Sequence, residues 1–256
     1  MRGNAGTYWN LVREFTVCGF KIRDQGTVLG FCWTLLHPLL LLVVLYTLFK
    51  DRLGGNIPHF RVYLLIGIIH WSYFSTATTK AVTSIVLRRD LVTHVSFPRE
   101  ILVIGDVGTI LISFVLEMAV LFLFLLVEGI PPRLVWMLMP LVIGLQTMLI
   151  VAFSLFLASL QVFVKDIERI WTIILRIGFF AVPIFYQTSM IQDPYLRWVL
   201  ECNPLTQLME FSRGLLIDGA LPSPTWILYT LAFSTLLLTL TLWMFKKLEY
   251  RFAERL

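Results

Sequence analysis

Six blocks of mostly apolar residues constrain this chain more than any other feature of its sequence. They run over roughly 29–49, 62–80, 101–127, 134–163, 170–187 and 225–245. A helix needs about 20 such residues to cross the ~30 Å hydrocarbon layer of a bilayer. Backbone polar groups in that layer must pair within the segment, which a helix achieves. The sequence therefore predicts an all-α, polytopic membrane protein with six transmembrane helices, forming a single transmembrane domain over 1–256. The fourth block is long enough to tilt or to protrude into water. Composition agrees: 58% of the 256 residues are hydrophobic and 14% are charged, against about 45–50% and 25% in soluble proteins. Mean hydropathy is +0.81. These values disfavour a cytosolic enzyme, a secreted disulfide scaffold and a disordered tail. The first apolar block starts too late for a cleavable signal peptide and lacks a small-residue cleavage site.

The net charge of +5 would suggest nucleic acid as the partner of a soluble protein. Here the charges fall between apolar blocks and act as topology signals, so no nucleic acid is expected. Six spans put both termini on one side. Fourteen Lys and Arg residues fall on that side and six on the other, which predicts cytoplasmic termini. Cys18 is then cytoplasmic, Cys32 lies in the membrane and Cys202 lies outside, so no disulfide or metal set is implied.

Three segments do not span. In 7–22, Tyr8, Val12, Phe15, Gly19 and Ile22 recur at helical spacing, with Asn10, Arg13 and Lys21 off that stripe. This predicts an interfacial helix, broken from the first span near Gly26 and Gly30; a plain extension of that span is the alternative. In 81–97, Val82, Ile85, Val86 and Val92 form an apolar stripe around the Arg88-Arg89-Asp90 turn, and Pro98 stops the helix. A short cytoplasmic helix here suits docking of a cytoplasmic partner; a solvated connector is the bland reading. In 188–222, Asp193-Pro194 and Asn203-Pro204 are helix starts and Gly219 is a stop. They predict two short external helices, arranged as a re-entrant pair.

Enzymatic signatures are absent. The chain has no GxxxxGK[ST] phosphate loop, no HExxH and no GxSxG elbow. His37, His59, His70 and His94 are scattered. The acids well inside a span are Asp106 and Glu117, which share a helical face with Ser113. A polar stripe of this kind turns toward a bundle interior or a water-filled cavity. Arg176 lies at a depth similar to Asp106, and a pair between them would leave neither charge isolated.

Four stretches in order carry a resemblance over essentially the whole chain: KIRDQGTVLGFCWTLLHPLL entering the first span, SFPREIL after the second, KDIERI after the fourth and NPLTQLMEFSRGLL before the last. Together on a six-span frame they resemble the membrane subunit of type-2 ABC exporters, in the branch that exports O-antigen (Wzm-like) or teichoic acid. The resemblance implies a homodimer in the bacterial inner membrane with two copies of a separate ATPase, which binds ATP and Mg. It implies no cofactor in this chain and a glycan on a polyprenyl diphosphate lipid as cargo. The 81–97 helix becomes a coupling helix in a cleft of the ATPase, with Ile85, Arg88, Arg89, Asp90 and His94 at the contact. The 165–169 turn, with Asp166, Glu168 and Arg169, becomes a second contact. The external helices close the channel mouth. Many members of the family carry Asn before the proline of the first span, where this chain has His37, so the role of His37 stays open.

Sugars bind to aromatic faces and hydrogen-bonding side chains. In the second span Tyr63, Gly67, His70, Trp71, Phe74 and Thr78 fall within one half of the helix. In the fifth, Trp171, Phe179, Phe185 and Tyr186 do the same, and Trp33 and His37 share a face of the first. These rows are expected to line the channel; ordinary interfacial anchoring is the competing account. Six helices are few for a polymer pore and its supporting shell, whereas two subunits supply twelve. An exporter permease for lipid-linked polysaccharide is the leading reading. The alternatives are a permease for a drug or small lipid, a membrane-embedded glycan-processing enzyme and a secondary transporter. The enzyme lacks paired catalytic carboxylates or a metal site, and the secondary transporter lacks the internal repeats it usually shows.

Overall fold

The computed structural model describes residues 5–23, 32–55, 57–95 and 97–255, among which the regular structure is helical and there is no strand. Ten α-helices follow in order: α1 (Ala5–Arg23), α2 (Cys32–Phe49), α3 (Phe60–Val82), α4 (Arg89–His94), α5 (Glu100–Val127), α6 (Met139–Phe163), α7 (Ile167–Ala181), α8 (Pro194–Glu201), α9 (Pro204–Arg213) and α10 (Pro224–Arg255). The expected break at Gly26 and Gly30 lies outside the described residues.

Among the described residues, four helical stretches are long and apolar enough to cross a bilayer: Trp33–Gly54, Glu100–Val127, Leu134–Phe163 and Pro224–Phe252. Two of the six expected blocks fall short by this measure. The α3 helix is long, about 34 Å at 1.5 Å per residue, but carries Arg61, His70, Lys80 and a run of hydroxyls. The α7 helix has 15 residues, about 22 Å. It stops at Ala181, where Val182 turns extended before Pro183. The fifth block is therefore a shorter helix followed by an irregular segment, because Pro183 holds the residue before it out of helical geometry.

Seventeen of the 23 residues of α3 are buried, so α3 is the axis of the bundle, and its polarity is shielded by protein. Buried polar pairs fix its rotation. The His70 Nδ1–H donates to Gln146 of α6, and the Gln146 amide donates back to the His70 carbonyl. The Ser212 hydroxyl of α9 donates to His70 Nε2 at 2.8 Å. The α9 helix is thus embedded beside α3 and α6, while α8 lies exposed. The caps form as expected: Asp193 Oδ1 accepts from the Tyr195 and Leu196 amides, and Asn203 Oδ1 from Leu205. Gly219 ends the π-turn after α9 with φ of +69°.

The α1 stripe of Tyr8, Val12, Phe15 and Gly19 turns inward, and Ile22 is exposed. Its partner is α5. A Cβ on Gly105 would sit 2.8 Å from the Phe15 Cβ, and one on Gly108 2.6 Å from the Thr16 hydroxyl. Only glycine permits that approach. At this end of the bundle α6 and α10 also meet, through Phe163 and Phe252.

The 81–97 segment is a 3₁₀ turn (Val86–Arg88) running into the short α4. Val82, Ile85 and Val92 are buried as expected, but Val86 is exposed. Arg88 and Ile85, expected to face a partner, turn inward instead. Ile85 is fully buried. Arg88 donates to both Asp106 oxygens at 2.7 and 2.9 Å, and Lys80 Nζ stands 3.3 Å from the same carboxylate. The expected Asp106–Arg176 pair does not form. Asp106 faces the connector that folds back under α3, whereas Arg176 is exposed on α7. Equal depth left helix rotation undetermined.

Candidate functional site

From Val62 to Val82, every α3 residue that reaches the protomer surface is Ser72, Ser75, Thr76, Thr79 or Lys80. The four hydroxyls stand at i, i+3, i+4 and i+7, one face of a helix. This stripe floors a groove of about 530 Å³ between α2 and α7. Leu41 forms one wall, and Thr172, Leu175, Arg176, Phe179 and Phe180 form the other, with Trp71 at the edge of the floor. The same stripe continues into a pocket of about 270 Å³, where Ser72 and Thr76 meet Trp33, His37, Ser113, Glu117 and Arg23. Arg23 donates there to Ser113 at 2.6 Å and to Thr34 at 2.9 Å.

The aromatic rows divide. Tyr63 and His70 are core residues. The Tyr63 hydroxyl donates to the Tyr186 carbonyl at 2.8 Å, and its ring lies 3.5 Å under the Arg213 guanidinium. Arg213 also donates to the Pro183 and Ile184 carbonyls, so it pins the segment after α7. Sequence reasoning passed over this residue. Its position four residues before the buried Ile217, on a helix of helix-period apolar residues, gave no sign that its head turns inward.

Phe74 and Trp171 are likewise buried, and the Trp171 ring N–H donates to Thr78. With Trp71, Phe153 and Phe233 they line a second cavity of about 310 Å³ behind α7. The largest side chains pack against protein because that removes most apolar area from solvent. The open face of α3 carries hydroxyls, while Trp71 and Phe179 of the expected aromatic track line the same groove with Phe180. Trp33 is exposed, and Phe179, Phe185 and Tyr186 are half-buried, with Phe179, Phe180 and Phe185 in mutual ring contact. Gly178 lets α7 lie against Trp71, since a Cβ there would be 2.8 Å from the indole.

The buried charges also divide. Asp106 and Glu117 are buried and Arg176 is not. Among the described residues Arg176 has neither a hydrogen bond nor an ion pair, and the groove holds no other charged side chain.

A second surface lies at the end where α3, α6 and α10 finish. Leu87 is 78% exposed, and Arg89, Asp90, Leu91 and His94 project beside it. Asp166, Glu168 and Arg169 are exposed on the α6–α7 turn. Arg88 holds this surface in place. Its hydrogen bonds to Asp106 raise its pKa above the usual arginine value, so it stays charged. Arg99 ties the far side, donating to the Val92 carbonyl of α4 at 3.2 Å and to the Glu249 carbonyl of α10. Among the described residues no group of three His, Cys, Asp or Glu is placed to hold a metal ion.

Comparison with known proteins adds two findings. The family described as ABC-2 type transporter matches residues 13–217. An O-antigen export system permease protein RfbA of Klebsiella pneumoniae is 29% identical over 256 residues, covering 99% of this chain and 98% of the relative. A protein of the same description from Myxococcus xanthus is 33% identical over 235 residues, covering 91% and 90%.

Proposed function

Because the chain belongs to the ABC-2 type transporter family, we propose that it is the permease subunit of an ATP-driven exporter for lipid-linked polysaccharide of the O-antigen kind. It is one transmembrane domain with six spans, α2, α3, α5, α6, α7 and α10, in the bacterial inner membrane. Both termini are cytoplasmic, α1 lies in the cytoplasmic interface, and α8 and α9 dip back from the outer face. Two copies face each other across a pore. Two copies of a cytoplasmic ATPase bind ATP and Mg and seat on the exposed residues of α4 and of the α6–α7 turn. This chain itself carries no cofactor.

The observation that carries the reading is the α3 stripe. A helix at the centre of a membrane bundle that opens only hydroxyls and an ammonium to one side is not built to face lipid, where such groups are costly. It is built to face water or a hydroxyl-rich cargo. Ser and Thr offer each sugar hydroxyl a donor and an acceptor, and the Trp71 and Phe179 edges offer apolar contact. None of these contacts is deep, so a polymer slides past them. The relatives named as O-antigen export permeases support the choice of cargo.

The test is purification of the tagged chain from bacterial membranes and reconstitution into vesicles. Equal amounts of permease and an ABC ATPase, with ATP-dependent movement of lipid-linked polysaccharide, are expected. A chain that purifies without an ATPase and transports on an ion gradient would overturn the proposal.

A further inference from the structure

Arg176 is the one feature of the groove that a neutral sugar polymer does not need. It lies seven residues after Arg169, the last charged residue of the α6–α7 turn, or about 10 Å along the helix. That is about a third of a ~30 Å hydrocarbon layer. Its side chain is exposed on the protomer, with no carboxylate beside it and no hydrogen bond among the described residues. Of the other charges near the core, Asp106 pairs with Arg88 and Lys80, and Arg213 with Glu210 and backbone carbonyls; Glu117 lies in the neighbouring pocket that Arg23 also lines. An arginine held within that layer without a counter-charge is expensive. A guanidinium in that position is ready for an anion that arrives.

We propose that Arg176 receives the diphosphate of the cargo lipid inside the membrane. The inference rests on the exporter reading and specifies how its most highly charged part crosses. A diphosphate cannot enter hydrocarbon unpaired, because the cost of desolvating a charge far exceeds that of any sugar hydroxyl. The planar guanidinium fork binds phosphate oxygens in a bidentate manner. Thr79, Ser75 and Thr172 line the same stretch of groove; the Ser75 and Thr172 hydroxyls donate to the Ser72 and Glu168 carbonyls, which leaves Thr79, without a hydrogen bond among the described residues, as the donor beside Arg176. Across a two-fold pore the partner subunit supplies a second guanidinium, giving one fork per phosphate. The groove then works as a stepping point: it binds the anion moderately, in competition with water at either face, and releases it outward.

The same chemistry fits acidic groups on the glycan itself, and the test separates the two. The permease–ATPase complex is placed in nanodiscs, and binding of undecaprenyl diphosphate, of neutral undecaprenol and of lipid-free glycan is measured. Arg176→Gln is expected to weaken undecaprenyl diphosphate binding roughly tenfold or more, the effect of losing a charge-assisted hydrogen bond. Arg176→Lys keeps the charge but loses the fork, so its affinity falls between those of the wild type and Arg176→Gln, and undecaprenol binding does not change. Arg176→Cys gives an independent measurement: a cationic thiol reagent restores diphosphate binding and a neutral one of similar size does not. Unchanged diphosphate affinity in Arg176→Gln, or equal restoration by both reagents, overturns the proposal and leaves the exporter reading standing. A loss confined to lipid-free glycan also overturns it, by assigning Arg176 to acidic sugars. A wild-type complex that binds neither the diphosphate lipid nor the glycan removes the exporter reading with it.

Discussion

At the scale of single residues, Asp106 decides how the end of the bundle bearing α4 is assembled. Its carboxylate accepts both arms of Arg88 and stands beside Lys80. The Arg88 side chain is 28% exposed, so the pair is partly screened and its cost lies below the fully buried limit. Asp106→Asn is expected to destabilise by about 1.5–3 kcal/mol, the range for hydrogen bonds to charged groups. Arg88→Gln should cost a similar amount, and the double variant less than the sum, because each change removes the same interaction. Thermal unfolding of the purified complex measures all three; strict additivity contradicts the pair. The charge of Asp106 was legible in the sequence, but its partner was not. The depth of a residue follows from counting along a span, whereas its facing direction depends on how neighbouring helices pack. The sequence predicts that the 81–97 segment presents Arg88 to a cytoplasmic partner, whereas the fold brings it back under α3 onto Asp106.

At the scale of elements, two predictions follow from how helices meet. The α1 and α5 helices touch through glycine, so Gly108→Leu forces Thr16 away and is expected to cost about 1–3 kcal/mol by overpacking. Limited proteolysis should then cut α1 sooner than in the wild type while α6 and α10 stay protected. Equal protection of α1 would show that the close approach is not needed. The α4 surface divides its residues by role. Leu87→Asp and Arg89→Glu alter groups that project outward, and each should reduce recovery of the ATPase with the tagged permease without lowering the amount of permease in the membrane. Arg88→Gln should reduce both, since it loosens the element. Identical behaviour of Arg88 and Arg89 variants in the two measurements contradicts that division. Local signals made several elements readable in advance. Asp193-Pro194, Asn203-Pro204 and Gly219 act within one turn of themselves, so tertiary context did not override them. The sequence predicts a longer α7 because Ile184, Phe185 and Tyr186 remain apolar after Pro183 has ended the helix.

At the scale of the whole molecule, the apolar blocks gave the all-helical architecture, and composition alone required a membrane. The orientation of the central helix was not legible by the same route. The aromatic residues of α3 and α7 looked like a sugar track because sugars favour aromatic faces. In the folded chain Tyr63, His70, Phe74 and Trp171 have α6, α9 and the segment after α7 to pack on, and burial there outweighs any use at the surface. The signal for the open face was present as Ser72, Ser75, Thr76 and Thr79 at helical spacing, and it is the weaker chemical signal of the two. The central claim is that this face borders a water-filled path through the assembled transporter. Cysteine accessibility tests it most directly. With Cys18, Cys32 and Cys202 replaced by serine, single cysteines are introduced at Ser75, Thr79, Tyr63 and His70 in the permease–ATPase complex. A membrane-impermeant thiol reagent is expected to label the positions at Ser75 and Thr79 in the resting or ATP-trapped state and to leave Tyr63 and His70 unlabelled in both. Labelling at Tyr63 and His70 with none at Ser75 and Thr79 would contradict the account.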